Sequence, residues 1–178
     1  MQLTQPQPDS RSRATIHAGA GLLFVGLVSG VIGGGVWAWL RPPIVAVVSD
    51  GAFVIDQVET AKNAQFAGLG WLAIVLLVVG LIVGVAGGGR RGGGQFTWFA
   101  WQLVVAALAG AVVSAIGGIV TDWLIAMPEH AERFEDGQRI SVFPPVTSSV
   151  VLCLAPLVTG IVAWWHLVLQ SLDTPEIV

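Results

Sequence analysis

Charge is scarce in this sequence. Only 11% of its 178 residues are charged, 54% are hydrophobic, and the mean hydropathy is +0.79. A water-facing globular surface draws on about 25% charged residues, so this chain has too few to cover one. The net charge of −3 is weak, and no basic patch exists that could hold nucleic acid. Cysteine is almost absent. The single Cys153 excludes an intrachain disulfide and a cysteine metal cluster, and its apolar surroundings in sequence read as a small buried hydrophobe. Catalytic signatures are missing as well. There is no Ser–His–Asp pattern, no His-Glu-x-x-His and no carboxylate pair inside an apolar run. No enzyme, cofactor or metal site is expected.

Long apolar runs are what the chain does have. A bilayer core of about 30 Å takes about 20 mostly apolar helical residues, and four stretches qualify: about 17–40, 66–89, 96–127 and 146–169. The expected fold class is an all-α membrane protein, a four-transmembrane-helix bundle over 17–169 with tails at 1–16 and 170–178. The first run has a basic front in Arg11 and Arg13. It is longer than a signal-peptide core and is followed by Trp37, Trp39 and Leu40 rather than a small-residue cleavage site, so it reads as an uncleaved helix.

Orientation follows from the bases. Arg11 and Arg13 precede the first helix, and Arg90 and Arg91 sit in the turn between the second and third. In both long loops acids outnumber bases. Both termini and the middle turn are therefore expected in the cytoplasm of a multi-pass plasma-membrane protein, with both long loops outside. Tryptophan favours the headgroup level. Trp37, Trp39, Trp71 and Trp123 fall at outer helix ends and Trp98, Trp101, Trp164 and Trp165 at inner ends, so all eight are expected in two interfacial belts.

The chain also carries a weak internal repeat. A shift of 86 positions places Trp37 on Trp123, Pro42 on Pro128, and Asp50-Gly51 on Asp136-Gly137. Two tandem helix–loop–helix units are inferred. Asp-Gly between β-formers signals a tight hairpin turn, because both central residues need positive φ. A short β-hairpin is expected in each outer loop, and pairing of the two into a four-stranded sheet would steady both.

Helices in lipid approach through small residues. Gly26, Gly30 and Gly34 recur every four residues, as do Gly80, Gly84 and Gly88, and Ala106, Gly110, Ser114 and Gly118. Three helices are thus expected to pack through smooth faces, or to offer one to a partner. The fourth has Ala155, Thr159 and Ala163, with Pro156 expected to bend it. Asp122, beside Trp123, reads as a solvated helix-end carboxylate. His17 and His166 read as a pair of interfacial histidines. The Gly-rich turn around Arg90 and Arg91 lacks the Lys-Ser/Thr ending of a phosphate loop. The acidic set Glu129, His130, Glu132, Glu135 and Asp136 reads as a solvated loop.

The stretch Trp37-Ala38-Trp39-Leu40-Arg41-Pro42-Pro43, with its Asp-Gly loop and glycine-rich second helix, resembles a family of small actinobacterial four-helix integral membrane proteins of unknown function. The resemblance implies a Gram-positive plasma membrane beneath an outer envelope layer, and it carries no catalytic residues. The sequence leads to a non-catalytic accessory or scaffold subunit of a larger membrane complex, of the respiratory chain or the cell envelope. Its expected partners are the lipid bilayer and other membrane subunits, with a homo-oligomer left open. A small transporter or channel built from the duplicated unit is the alternative. The outer-face candidates are Trp37, Trp39, Asp50, Gly51, Asp122, Trp123, Asp136 and Gly137.

Overall fold

The computed structural model describes residues 10–49, 52–55, 64–88, 94–124, 137–143 and 149–172. Its elements are α1 (Ser10–Leu40), β1 (Ile44–Ser49), β2 (Ala52–Ile55), α2 (Ala64–Gly87), α3 (Gln95–Leu124), β3 (Arg139–Val142), α4 (Ser149–Leu152) and α5 (Leu154–Leu172). Four segments are long and apolar enough to cross a membrane: Ala14–Leu40, Phe66–Gly87, Gln95–Leu124 and Val150–Leu172. Apolar runs of this length become helices because a helix satisfies its backbone polar groups internally, where lipid offers no partner.

The helix ends have local causes. Arg41 closes α1 by donating its N–H to the Trp37 carbonyl at 3.0 Å. Pro42 and Pro43 follow. Proline has no N–H to continue the ladder and disfavours helical backbone before it. At its start α1 reaches back to Ser10, so part of the expected 1–16 tail is helix. Gly94 precedes α3 with φ of 92° and accepts the Trp98 N–H at 2.9 Å, a left-handed position that suits glycine. The last membrane segment is interrupted at Cys153, between α4 and α5. Pro156 explains the break. It cannot donate to Leu152 four residues earlier, and its ring crowds that carbonyl. Cys153 is left exposed, which corrects the expectation that it is buried.

Helix pairing follows the glycines. Along α1, Gly26 faces Val105, Gly30 faces Ala109 and Val112, and Gly34 faces Val113 and Ile116. Both sets of numbers rise together, so α1 and α3 run parallel, and this pair makes the most extensive contact in the bundle. The second most extensive is α2 with α5. There Gly80 faces Ala155 and Gly84 faces Thr159 and Val162, again in parallel. The core has two adjoining clusters. One joins Trp37, Leu72, Val75, Leu76, Val79, Ala109, Val113 and Ala155. The other joins Leu22, Val83, Val105 and Ala106.

Gly110 also packs inward, with Leu76, Ala155 and the Leu152 carbonyl 3.4 to 3.7 Å from where a methyl would stand. Gly118 does not pack, for a methyl there would meet nothing within 4 Å. Its neighbour Gly117 takes the contact instead, beneath the Trp37 ring. Ser114 is half-buried. The inward stripe of α3 is Gln102, Val105, Ala106, Ala109, Gly110, Val113, Gly117 and Thr121. It is therefore rotated from the four-residue stripe expected, because α1, α2 and α5 all press on this helix.

Buried hydroxyls find carbonyls. Thr159 Oγ1 donates to Gly80 O at 2.8 Å, from α5 to α2, and Thr121 Oγ1 donates to Gly117 O. Glycine leaves its carbonyl unshielded, so a second donor can reach it. Thr159→Val keeps the shape and removes this donor. It is expected to cost about 1 kcal/mol, read as a fall in thermal unfolding midpoint in detergent.

At one end of the bundle the strands form a three-stranded antiparallel sheet in the order β2-β1-β3. Val47 pairs with Val54 across β1 and β2, and Val45 with Ser141 across β1 and β3. Gly137, ahead of β3, has φ of 86°. Asp50, Gly51, Asp136 and 131–135 lie outside the described residues, as do 89–93 with Arg90 and Arg91. The β1–β3 register has a direct check. With Cys153→Ser as background, the pair Val45→Cys and Ser141→Cys is expected to oxidise to a disulfide, since opposed antiparallel Cα atoms lie about 4.5–5.5 Å apart. Failure to cross-link, scored by gel mobility with and without reductant, would contradict the register.

Candidate functional site at the sheet end

The polar centre of the molecule is Arg41, just beyond α1. It is buried, with 7% of its surface exposed. Its guanidinium carbon lies 5.2 Å from the Trp37 ring centroid and 5.6 Å from that of Phe143. Both fall within the roughly 6 Å range of cation–π attraction. The aliphatic part of Arg41 rests on α2, where Gly68 leaves room for it. One side chain thus touches the end of α1, the start of α2 and the segment after β3.

Electrostatics explains why a cation tolerates this place. Burial pushes the Arg41 guanidinium below its ordinary proton affinity, and the Asp122 carboxylate opposes that shift. Arginine nevertheless keeps its proton in proteins. The C-termini of α1 and α3 both end near here, and helix C-termini carry partial negative charge. Arg41 Nη2 is buried without a hydrogen-bond partner among the described residues.

Trp37 completes the arrangement. It is 3% exposed and donates its indole N–H to Gly68 O at 2.9 Å. Its ring is turned inward, between α1, α2 and α3. Two more belt candidates do the same work elsewhere. Trp98 Nε1 donates to Gly87 O at 2.8 Å and Trp101 Nε1 to Gly19 O at 3.3 Å. Each bond joins one helix to a glycine carbonyl on another. Trp39, Trp71, Trp123, Trp164 and Trp165 are exposed, as a lipid-interface role requires.

Of the outer-face candidates, Asp122 is exposed and electrostatically linked to Arg41, Trp39 and Trp123 point outward, and Gly137 is exposed ahead of β3. Arg41 and Phe143 were not among those candidates. The available signal was Arg41's position four residues after Trp37, on the same side of the last helical turn. At the opposite end, His17 is exposed on α1, while His166 is half-buried on Gly88. The two differ in burial though both lie at this end of the bundle. Gln102, buried at the same end, was also missed. A glutamine within a charge-free span was its only mark.

The Arg41 arrangement presents a buried cation between two aromatic rings. No nucleophile or general base touches it among the described residues. No group of three or more His, Cys, Asp or Glu among those residues could hold a metal ion. Arg41→Ala is expected to cost about 2 kcal/mol through lost contact with Trp37, Phe143 and Gly68. Arg41→Met keeps the length and is expected to cost less than about 1 kcal/mol, since replacing a desolvated charge by an apolar chain is close to neutral. Equal losses for both, in chemical unfolding, would show that charge rather than packing dominates. No family model, no curated protein and no solved structure matches this chain.

Proposed function

We propose that this chain is a non-catalytic accessory or scaffold subunit of a larger plasma-membrane complex, of the respiratory chain or the cell envelope, in an actinobacterial-type membrane. Both termini lie in the cytoplasm, and the sheet is the outer surface that meets partner subunits. The observation that carries this reading is the pairing of β1 with β3. It fuses two loops far apart in sequence into one platform, and Arg41 fixes that platform to the helices beneath. A rigid outer surface on an apolar bundle suits docking better than chemistry.

The finer architecture belongs to the same proposal. The chain is two tandem helix–loop–helix units, each with a hairpin, and the hairpins complete a four-stranded sheet. The 86-residue offset carries α1 onto α3 and α2 onto α4 and α5. These are the pairs that run parallel and in closest contact. Such parallel repeats also occur in transporters, which keeps the small transporter or channel as the second reading. Against it stands the interior. Among the described residues the buried polar side chains are Arg41, Gln102, Thr121 and Thr159, too few and too scattered to line a path. The break at Cys153 lies within the first turn of its span rather than at mid-membrane.

Affinity purification of the tagged full-length chain in mild detergent tests the proposal. Stoichiometric recovery with a respiratory or envelope complex is expected, and its loss on deleting β1 and β2 would place the contact on the sheet. A pure homo-oligomer that conducts ions or solutes in liposomes would overturn it.

A further inference from the structure

The end of the bundle away from the sheet holds a second polar feature. Gln102 is 4% exposed, and its Oε1 is buried without a hydrogen-bond partner among the described residues. It lines a pocket of about 30 Å³ between α2, α3 and α5, together with Gly87, Gly88, Trp98, Ala163 and His166. The two glycines shape it. A methyl on Gly87 would stand 2.5 Å from Gln102 Oε1, and one on Gly88 would stand 2.5 Å from His166 Nε2. Only a bare backbone lets both polar side chains lie against the end of α2.

We propose that this pocket binds one small hydrogen-bond donor, of the size of water or ammonium, whose hydrogen Gln102 Oε1 accepts. Gln95 and Gln170 also line the pocket, yet neither carboxamide reaches Gln102 Oε1. The Trp98 indole N–H goes to Gly87 O, and the Gly88 N–H goes to the Gly84 and Val85 carbonyls. A buried amide oxygen that has lost its water without a replacement is unfavourable, so the pocket favours a guest that restores the bond. The volume sets the guest's size. One water needs roughly 10–15 Å³ of such space, so a headgroup or nucleotide is far too large. The chemistry sets its polarity, because the wall offers an amide oxygen and the end of α2, where carbonyls give partial negative charge. The His166 imidazole supplies the second polar partner that a buried water needs. This site lies apart from the sheet and does not depend on the docking role proposed above.

The test uses the full-length isotopically labelled chain in phosphatidylcholine–phosphatidylglycerol bilayers, with water-to-protein polarisation transfer read by solid-state NMR. In sodium chloride, the Gln102 carboxamide is expected to polarise as fast as exposed Gln138 at the sheet end, while Val105 and Ala106 lag. Exchanging sodium chloride for ammonium chloride separates the sources. A saturable shift of the Gln102 and His166 signals identifies ammonium as the guest, and retained transfer without a shift identifies water. Gln102→Leu is expected to abolish the transfer to Ala163. A Gln102 carboxamide that lags with Val105 and is unshifted in both salts would overturn the proposal. That measurement on the unmodified chain stands whether or not the variant folds.

Discussion

Gly80→Leu is expected to destabilise the protein by about 3 kcal/mol or more. Even the first carbon is obstructed. A methyl at Gly80 would lie 2.5 Å from the Ala155 carbonyl oxygen and 3.0 Å from its Cα. These are backbone atoms, which cannot rotate away as a side-chain end can. Helices α2 and α5 must separate, and the Thr159 hydroxyl then loses its 2.8 Å bond to Gly80 O. Gly118→Leu is the matching control. A methyl at Gly118 meets nothing within 4 Å, so unfolding should change by less than about 0.5 kcal/mol. Chemical unfolding of both variants in one detergent checks the pair. Similar losses at the two sites would contradict the packing described for α2 and α5.

The second large effect is at Trp37. Trp37→Ala is expected to cost about 3–5 kcal/mol, since a large buried ring leaves a cavity that rigid helices cannot close. The ring covers Gly117 on α3, belongs to the core with Leu72 and Val75, and lies under the Arg41 guanidinium. Trp37→Phe keeps most of that packing but leaves Gly68 O without its donor, at an expected cost of about 1–2 kcal/mol. Trp123→Ala should be nearly silent, because Trp123 is 91% exposed. Thermal unfolding followed by circular dichroism separates the three. Hydrogen exchange should also rise in β1 and β3 for Trp37→Ala, because Arg41 would lose one of the two rings that hold the sheet to the bundle.

Trp37 and Trp123 show where reading the sequence stops. They lie 86 positions apart and carry the same side chain, yet one is buried and the other faces outward. The flanking residues differ in a decisive way. Trp37 is followed four residues later by Arg41, whereas Trp123 is followed by Met127. Burial of the first ring also needs Gly117 below it and the Gly68 carbonyl beside it, from two helices remote in sequence. The Gly117–Gly118 pair is a second example. Both fit a small-residue stripe, and only the position of α1 decides which of them is covered.

Sequence alone accounts for four helices long and apolar enough to cross a membrane and for the stop of α1 at Pro42-Pro43. It also supplied the glycine spacing on α1 and α2, because segment length, proline chemistry and small-residue spacing are properties of the chain and the bilayer thickness alone. Tertiary structure decided which faces turn inward. Trp37 and Gly117 went inside and Cys153 outside, and Arg41 and Gln102 became the buried polar points. In water, an apolar stripe marks the inner face of a helix. In lipid both faces are apolar, no hydrophobic contrast drives one helix onto another, and the choice falls to shape and hydrogen bonding between surfaces that meet only once the bundle has assembled.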